Sequence, residues 1–230
     1  MSSVRRTFAS LGVPSHFSGR LAKSGIVWPT AVQRAALDAL LPRTASQPAT
    51  PARSALLRWP TGSGKTLAYA LPMLSRLSKN ATGVQAVVCT PTRELCLQTL
   101  KILQLLTSHG RPNKKGHAIK VMSAMGQVHD RMLLELLHQP PAILIGTPQP
   151  LGLLMRAGAL PLTTDLSRRI LVLDEVDSLA AHFRWPHIAH LLASSAGRKT
   201  EKQKHASCLS LPKCRAPTFA TCPRCDSQCV

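Results

Sequence analysis

The sequence has few aromatic and few acidic side chains for a length of 230 residues. Phe, Trp and Tyr make up 3% of the chain, so a folded core must be built mainly from aliphatic side chains. Asp and Glu number 10 against 29 Lys and Arg, which gives a formal net charge of +19. This deficit argues against a calcium-binding protein or an acidic activation segment. It favours a polyanion partner, because a strongly positive field attracts phosphate backbones; a basic but otherwise ordinary protein stays open.

Long apolar runs and secretory signals are also lacking. No run is long enough to span a bilayer, and no charged-then-apolar signal peptide opens the chain. We therefore expect an intracellular protein of the nucleus, nucleolus or cytoplasm. A mitochondrial location stays open, because Arg5 and Arg6 precede Asp38, the first acidic residue. Hydrophobic residues at 44% exclude a wholly disordered chain.

The chain divides by composition into four segments. We expect a helical region over residues 1–41, a flexible Pro-, Ala-, Ser- and Thr-rich loop over 42–54, a folded lobe over 55–193, and a basic, Cys-rich, disordered tail over 194–230. Within the lobe, apolar runs predict strands at 55–58, 85–89, 119–122, 142–145 and 170–173. Helical patterns fill the intervals near 65–78, 94–108, 128–138 and 151–157. This alternation predicts an α/β fold with a doubly wound, mostly parallel sheet.

A phosphate-binding loop is the sharpest motif in the sequence. It follows the first predicted strand of the lobe and opens a predicted helix, which is the layout that a phosphate site needs. Glycines let backbone N–H groups turn toward the phosphates, the lysine reaches the β- and γ-phosphates, and the threonine hydroxyl binds Mg²⁺. The nucleotide-binding candidates are Thr61, Gly62, Ser63, Gly64, Lys65 and Thr66.

An acidic cluster follows the last predicted strand. Asp174 and Glu175 come directly after the apolar run 170–173. Because ligands of open α/β sheets bind at the carboxyl ends of the strands, we expect this cluster and the loop to act together. Asp174 would hold the Mg²⁺ ion, and Glu175 would orient the attacking water. With Lys65, these two carboxylates are the candidate catalytic residues.

Four motifs together resemble those of DEAD-box RNA helicases. Residues 25–33, Gly-Ile-Val-Trp-Pro-Thr-Ala-Val-Gln, are similar to the family's Q motif, with Phe8 as the isolated upstream aromatic. Residues 91–98 resemble motif Ia, residues 146–151 resemble motif Ib, and Asp-Glu-Val-Asp at 174–177 stands where the family has its DEAD tetrad. The resemblance implies a RecA-like P-loop lobe.

The resemblance also implies an ATP-dependent RNA helicase with ATP and Mg²⁺ as cofactors and RNA as partner. It assigns Gln33 to the adenine edge, Phe8 to the nucleotide and Asp177 to coupling between motifs. The RNA-binding residues that it implies are Pro91, Thr92, Arg93, Thr147 and Pro148.

The sequence departs from the family pattern at several points. Trp59 stands where motif I opens with a small residue, Met125 replaces the first residue of a glycine pair, and Gln149-Pro150 replace a Gly-Arg pair that binds phosphate. No Ser-Ala-Thr motif and no second RecA-like lobe follow. We therefore expect a truncated product, isoform or fragment that hydrolyses ATP slowly and needs a second lobe, or a protein that supplies it, to unwind RNA.

Other interpretations stay open. The chain could be an inactive nucleotide- or RNA-binding module, or a P-loop ATPase of another kind, although Gln33 and Phe8 argue against the latter. Five of the seven cysteines lie in the tail, where Cys222 and Cys225 have the spacing of a zinc knuckle. A second matched pair is absent, so we expect a disordered tail without zinc. The basic run 198–205 is a solvated segment, a nuclear address or an RNA-binding tail.

Overall fold

A computed structural model of the chain describes residues 6–41, 55–78, 81–107, 119–156, 158–163 and 169–181. The contacts divide these residues into two compact units, one up to Ser75 and one from Arg76 onward. The predicted loop at 42–54 and the predicted tail at 194–230 lie outside the described residues. The domain boundaries at residues 41, 54 and 193 stay predictions.

The first unit is built from helices. It holds a short 3₁₀ helix at Ala9–Leu11, α1 at Ser15–Lys23, α2 at Ala31–Leu40 and the start of α3, Lys65–Arg76. From the sequence, Ser15 is the predicted N-cap of α1 and Gly25 the predicted left-handed residue after it. The second prediction is confirmed, because Gly25 has a φ of 77°. The first is off by one residue, because Pro14 occupies the N-cap position and Ser15 is already helical.

The strand predicted at residues 55–58 is wrong. This segment has no regular secondary structure and pairs with no described strand. Leu57 and Trp59 instead pack against a small core of Val32, Ala36 and Ala68. Side-chain burial on α2 and α3 therefore holds the segment that leads into the phosphate-binding loop.

The second unit contains a four-stranded parallel sheet. In chain order its elements are β1 at Ala86–Cys89, α4 at Arg93–Thr107, β2 at Val121–Ala124, α5 at Asp130–His138, β3 at Ile143–Gly146, α6 at Pro148–Arg156, β4 at Ile170–Leu173 and α7 at Val176–Ala181. The strand order is β2-β3-β1-β4, with every neighbouring pair parallel. The predicted parallel α/β architecture is confirmed.

Helices cover both faces of this sheet. The chain moves one way across the sheet from β1 to β2 and the other way from β2 to β3 and from β3 to β4. Right-handed crossovers therefore put α4 on one face and both α5 and α6 on the other. The main hydrophobic core reflects this placement, because Leu136 of α5 and Leu151 and Leu154 of α6 cluster with Val87 and Leu144 of the sheet.

The least accurate helix prediction concerns α6. We expected it to begin near Leu151, but it begins at Pro148 and also contains Pro150. Proline is tolerated in the first helical turn, because the backbone N–H that it lacks has no intrahelical partner there. The sequence pattern also missed α7. Within the described residues, no helix has both the length and the apolar character needed to cross a membrane.

Candidate nucleotide-binding site

The phosphate-binding loop has the backbone that its sequence predicts. Gly62 and Gly64 adopt left-handed φ angles of 77° and 89°, and α3 begins at the next residue, Lys65. The Ser63 hydroxyl donates to the Pro60 carbonyl at 2.7 Å and closes the turn. The loop therefore leads into a helix N-terminus, where backbone N–H groups and the positive helix end favour an anion.

Gln33 ties this loop to α2. Its side-chain carbonyl accepts from the Thr30 N–H at 2.9 Å, and its side-chain amide donates to the Gly64 carbonyl at 3.1 Å. The side chain is only 3% exposed. The Thr30 hydroxyl adds a bond of 2.9 Å to the Ser63 carbonyl. The structure thus gives Gln33 a structural task at the loop; its contact with adenine stays a prediction.

Thr30 is a site residue that the sequence reasoning did not select. Its position after Pro29 and at the N-cap of α2 was the available signal, because a threonine at a helix start usually points to capping. The cap, however, does not predict a bond to Ser63, which lies 33 residues further along the chain. Only the packing of α2 beside the loop makes that contact possible.

Lys65 and Trp59 contact each other across the loop. The Lys65 ammonium donates to the Trp59 carbonyl at 2.8 Å, so the loop carbonyl holds the amine. The Trp59 ring packs against the Val32, Ala36 and Ala68 core. The bulky residue at this position is therefore accommodated on α2 and α3. Thr66 is half-buried in the first turn of α3, and Thr61 is exposed.

Phe8 is almost fully buried, with 2% of its surface exposed. It precedes the 3₁₀ helix, and its carbonyl accepts from the Val13 N–H at 3.1 Å. Its ring belongs to the core of the first unit and offers almost no surface to solvent. Contact between Phe8 and a nucleotide stays a prediction.

In the second unit, the parallel register brings the predicted motifs to one edge of the sheet. Cys89 pairs with both Gly146 and Leu173, and Gly146 pairs with Ala124, so the carboxyl ends of all four strands are level. The residues that follow these ends therefore form a row. Across the sheet from β2 to β4, the row consists of Gly126, Thr147, the 90–93 segment and Asp174.

The acidic pair turns sharply as β4 ends. The Asp174 carboxylate accepts from the Glu175 N–H at 3.0 Å, and the Asp174 N–H donates to the Cys89 carbonyl at 2.9 Å. Glu175 has a φ of 48°, the only left-handed angle at a non-glycine residue in the described part of the chain. Both carboxylates are half-buried, whereas Asp177 is exposed in the first turn of α7.

Arg93 and Gly126 lie close together in this row. A Cβ atom at Gly126 would stand 2.6 Å from Nη2 of Arg93, so a side chain at this position would displace the guanidinium from where it lies. Arg93 is exposed at the start of α4, and the Thr92 hydroxyl accepts from the Leu95 N–H at 3.3 Å. Gly126 is the second residue of the glycine pair that the family pattern predicts. Because it has no side chain, the exposed Arg93 guanidinium can lie along the edge of the sheet.

The motif after β3 is mostly buried. Thr147 and Pro148 have little exposed surface, whereas Gln149 is exposed. The Thr147 carbonyl accepts from the Leu151 N–H at 3.3 Å and so begins α6. The RNA contacts predicted for Thr147 and Pro148, and for half-buried Pro91, stay predictions.

Two buried thiols lie at the end of β1 and within the motif Ia segment. Burial raises the pKa of Cys89 to about 12, and the neighbouring Cys96 thiol raises it further. Burial also raises the pKa of Cys96 to about 11, against the opposing effect of a hydrogen bond with Thr90. Both side chains are fully buried. The thiols are therefore protonated and unreactive at neutral pH.

The candidate magnesium ligands have suitable chemistry. Mg²⁺ prefers oxygen ligands and keeps several waters, so it needs only one or two protein oxygens beside the phosphates. Thr66 offers a hydroxyl and Asp174 a carboxylate. Within the ranges that the structure describes, no cluster of three or more His, Cys, Asp or Glu side chains could hold a metal by itself.

A parallel α/β sheet, a glycine-turned loop before a helix, and acidic residues after a strand define a P-loop nucleotide-binding protein. Comparison with known proteins narrows this class. Residues 30–210 match the DEAD/DEAH box helicase family, and the chain belongs to that family.

Two curated relatives illustrate the match. The chain is 35% identical to DEAD-box ATP-dependent RNA helicase 58, chloroplastic, of Arabidopsis thaliana, over 73% of this chain and 33% of that protein. It is 32% identical to DEAD-box ATP-dependent RNA helicase 47A of Oryza sativa subsp. japonica, over 85% of this chain and 33% of that protein. The chain thus spans about a third of the length of these relatives.

A solved structure has the same fold. The chain superposes on Saccharomyces cerevisiae Dbp5 bound to RNA and ADP BeF3 with a TM-score of 0.65, at 23% identity, covering 82% of this chain and 43% of that one. At this identity the likeness shows the fold alone. It confirms the RecA-like architecture that the motifs imply.

The contact between Gly64 and Gln33 predicts a difference between two glycine substitutions. We expect Gly62→Ala to lose roughly 1–2 kcal/mol of unfolding free energy, because alanine resists the left-handed backbone. We expect Gly64→Ala to lose more, because its Cβ would also collide with the Gln33 amide. Urea unfolding of both variants measures the difference.

A double-mutant cycle tests the cause of that difference. Gln33→Ala should cost less in the Gly64→Ala background than in the wild type, because the collision is then absent. Equal losses for the two glycine variants would contradict the close approach.

The buried thiols predict a loss of stability at alkaline pH. The pKa values of both thiols in the folded protein lie above the ordinary value of a cysteine. Their contribution to the free energy of unfolding is therefore complete below about pH 8.5 and is lost as the pH rises toward the folded pKa values. Between pH 7.5 and 10 the loss should be roughly 2 kcal/mol per thiol. Urea unfolding at both pH values should show a smaller loss in the Cys89→Ala/Cys96→Ala variant; an equal loss would contradict the raised pKa values.

Proposed function

We propose that this chain is the ATP- and RNA-binding first lobe of an ATP-dependent RNA helicase. The observation that carries the proposal is the bridge from Gln33 to the Gly64 carbonyl, because it holds the phosphate-binding loop in place at the start of α3. To read adenine, the Gln33 carboxamide would use its second amide hydrogen and the second lone pair of its carbonyl, because one of each is already bonded within the protein. RNA unwinding is proposed for the whole protein and not for this chain alone. The curated relatives are about three times as long as the part of them that this chain matches.

Each motif then has a chemical task. Lys65 leaves the Trp59 carbonyl and binds the β- and γ-phosphates, while the loop N–H groups hold the remaining phosphate oxygens. Thr66 and Asp174 would supply oxygens to Mg²⁺, which would neutralise phosphate charge. Glu175 accepts a hydrogen bond from the attacking water and orients it. Asp177 couples this chemistry to the rest of the lobe.

RNA is the proposed partner of the sheet edge in the second unit. The exposed Arg93 guanidinium lies beside Gly126, next to the helix start that Thr92 caps. A cation beside a helix N-terminus attracts phosphate oxygens without reading bases. The RNA-bound state of Dbp5, a protein of the same fold, is consistent with this proposal. The cellular compartment in which the protein is located stays a prediction.

Lys65 and Glu175 should separate binding from turnover. We expect Lys65→Ala to weaken ATP binding by about tenfold or more, because a charge-assisted bond to phosphate is lost. Lys101→Ala removes an exposed lysine of α4 and should leave ATP affinity unchanged. Calorimetric titration with Mg-ATP measures both.

Glu175→Gln tests whether the lobe turns over. This variant should keep ATP affinity and lose the slow hydrolysis that the wild type shows in single-turnover experiments with RNA. Wild-type hydrolysis at the Glu175→Gln rate would identify a module that binds without turnover. ATP affinity that does not depend on Lys65 would contradict the proposed nucleotide site.

Arg93 should contribute to RNA binding through charge. We expect Arg93→Ala to weaken single-stranded RNA binding irrespective of sequence and to reduce the salt slope of log K by about one. Arg131→Ala, which removes an exposed arginine from α5, is the matched control. Fluorescence anisotropy across a salt series measures the slope; equal slopes for Arg93→Ala and wild type would contradict an RNA contact at this edge.

A further inference from the structure

Glu175 is held by hydrogen bonds on both its backbone and its side chain. Its N–H donates to Oδ1 of Asp174 at 3.0 Å, and its carbonyl accepts from the Leu179 N–H at 2.9 Å. Its carboxylate atom Oε2 accepts from the Ser178 hydroxyl at 3.4 Å. The first two bonds hold the left-handed backbone, and the third reaches the group that is proposed to orient the attacking water.

The bond from Ser178 distinguishes the two oxygens of the Glu175 carboxylate. Oε2 has the hydroxyl as its donor, whereas no group among the described residues donates to Oε1. An ionised carboxylate only accepts hydrogen bonds, and each of its oxygens has two lone pairs. One oxygen is therefore restrained by the protein, and the other keeps its full capacity to accept from a water molecule.

The fold places the Ser178 hydroxyl where it can act on Glu175. The helix α7 begins directly after Glu175, and residues three positions apart in a helical turn lie on the same side. Leu179 is buried in the main hydrophobic core and anchors this turn. The bond of 3.4 Å is longer than the usual O–H···O distance of roughly 2.7–2.8 Å. It therefore restrains the direction of the carboxylate without consuming its capacity to accept.

An ordinary helix cap is the simplest alternative for this pair. In a cap, the side-chain oxygen before a helix accepts from a backbone N–H of the first turn. The Glu175 carboxylate accepts no backbone N–H of α7, and its acceptor bond comes from a side-chain hydroxyl. The geometry thus favours a role at the carboxylate over a role in starting the helix.

We infer that Ser178 is a positioning residue for the proposed hydrolysis. Its hydroxyl holds Oε2 of Glu175, so that Oε1 is left to accept from the attacking water. The inference rests on the proposed function and adds a residue to it, since Ser178 lies outside the acidic tetrad at 174–177.

A positioning role predicts a loss that is confined to the rate of hydrolysis. Ser178→Ala lowers the single-turnover rate with RNA by about threefold to tenfold, because the carboxylate loses its restraint. It leaves the affinity for Mg-ATP unchanged, because Glu175 is proposed to contact the water and not the phosphates. Ser178→Thr keeps a hydroxyl and therefore keeps most of the rate. A damaged fold would weaken ATP binding as well.

Ser18→Ala is the matched control. Ser18 is also half-buried, and its hydroxyl also donates to a residue three positions earlier, the Ser15 carbonyl at 3.2 Å. Its acceptor is a backbone carbonyl of α1, so its removal leaves both the rate and the ATP affinity at wild-type values. The experiment is single-turnover hydrolysis of Mg-ATP by the full 230-residue chain with single-stranded RNA. Calorimetric titration and urea unfolding of each variant accompany it.

The outcomes distinguish this inference from the proposed function. An unchanged rate in Ser178→Ala overturns the role of Ser178 alone, as does an equal loss of rate in Ser178→Thr. A weaker ATP affinity together with a lower free energy of unfolding would show a structural role and likewise overturn it. Wild-type hydrolysis at the Glu175→Gln rate overturns turnover by this lobe and the role of Ser178 together. A wild-type chain that does not bind Mg-ATP overturns the nucleotide site itself.

Discussion

The level register of the parallel strands is the constraint on which the second unit depends. Cys89 pairs with Gly146 on one side and Leu173 on the other, so three strands end at the same height. Every residue after those ends is therefore placed on one edge, whatever its distance along the chain. A shift of one residue in the pairing of β4 would turn Asp174 to the opposite face and would separate the acidic pair from the motif Ia segment.

The first unit positions its phosphate-binding loop by side-chain contacts, whereas the second unit positions its motifs by backbone pairing between strands. The phosphate-binding loop has no ladder of strand hydrogen bonds before it, and it is positioned by Gln33, Thr30 and the packing of Trp59. A carboxamide that bonds with both of its ends has one geometry, so it fixes the loop more narrowly than apolar contact would. Conversely, a change at α2 acts directly on the phosphate site.

Sequence patterns predicted the buried strands best. The run 85–89 contains β1, whose four residues are all buried, because an apolar segment without alternation is typical of a strand covered on both faces. The run 55–58 looked similar but forms no strand. Leu57 packs on α2 and α3 while Leu56 is exposed, and an apolar run alone does not reveal backbone partners. The role of the loop glycines could also be predicted from the sequence. The hydrogen bond between Gln33 and Gly64 could not be predicted, because it joins residues 31 apart in the chain and depends on how α2 packs.

If Glu175 orients the attacking water as proposed, its backbone sets stability against reactivity at a single residue. A left-handed φ at a side chain with a Cβ costs roughly 1–2 kcal/mol, and the neighbouring Asp174 carboxylate offsets part of this by accepting the Glu175 N–H. Glycine would relieve the strain and remove the carboxylate. A copy of this lobe released from the need to hydrolyse ATP would therefore gain stability by losing Glu175, and drift at this position would report whether the lobe is still used as an enzyme.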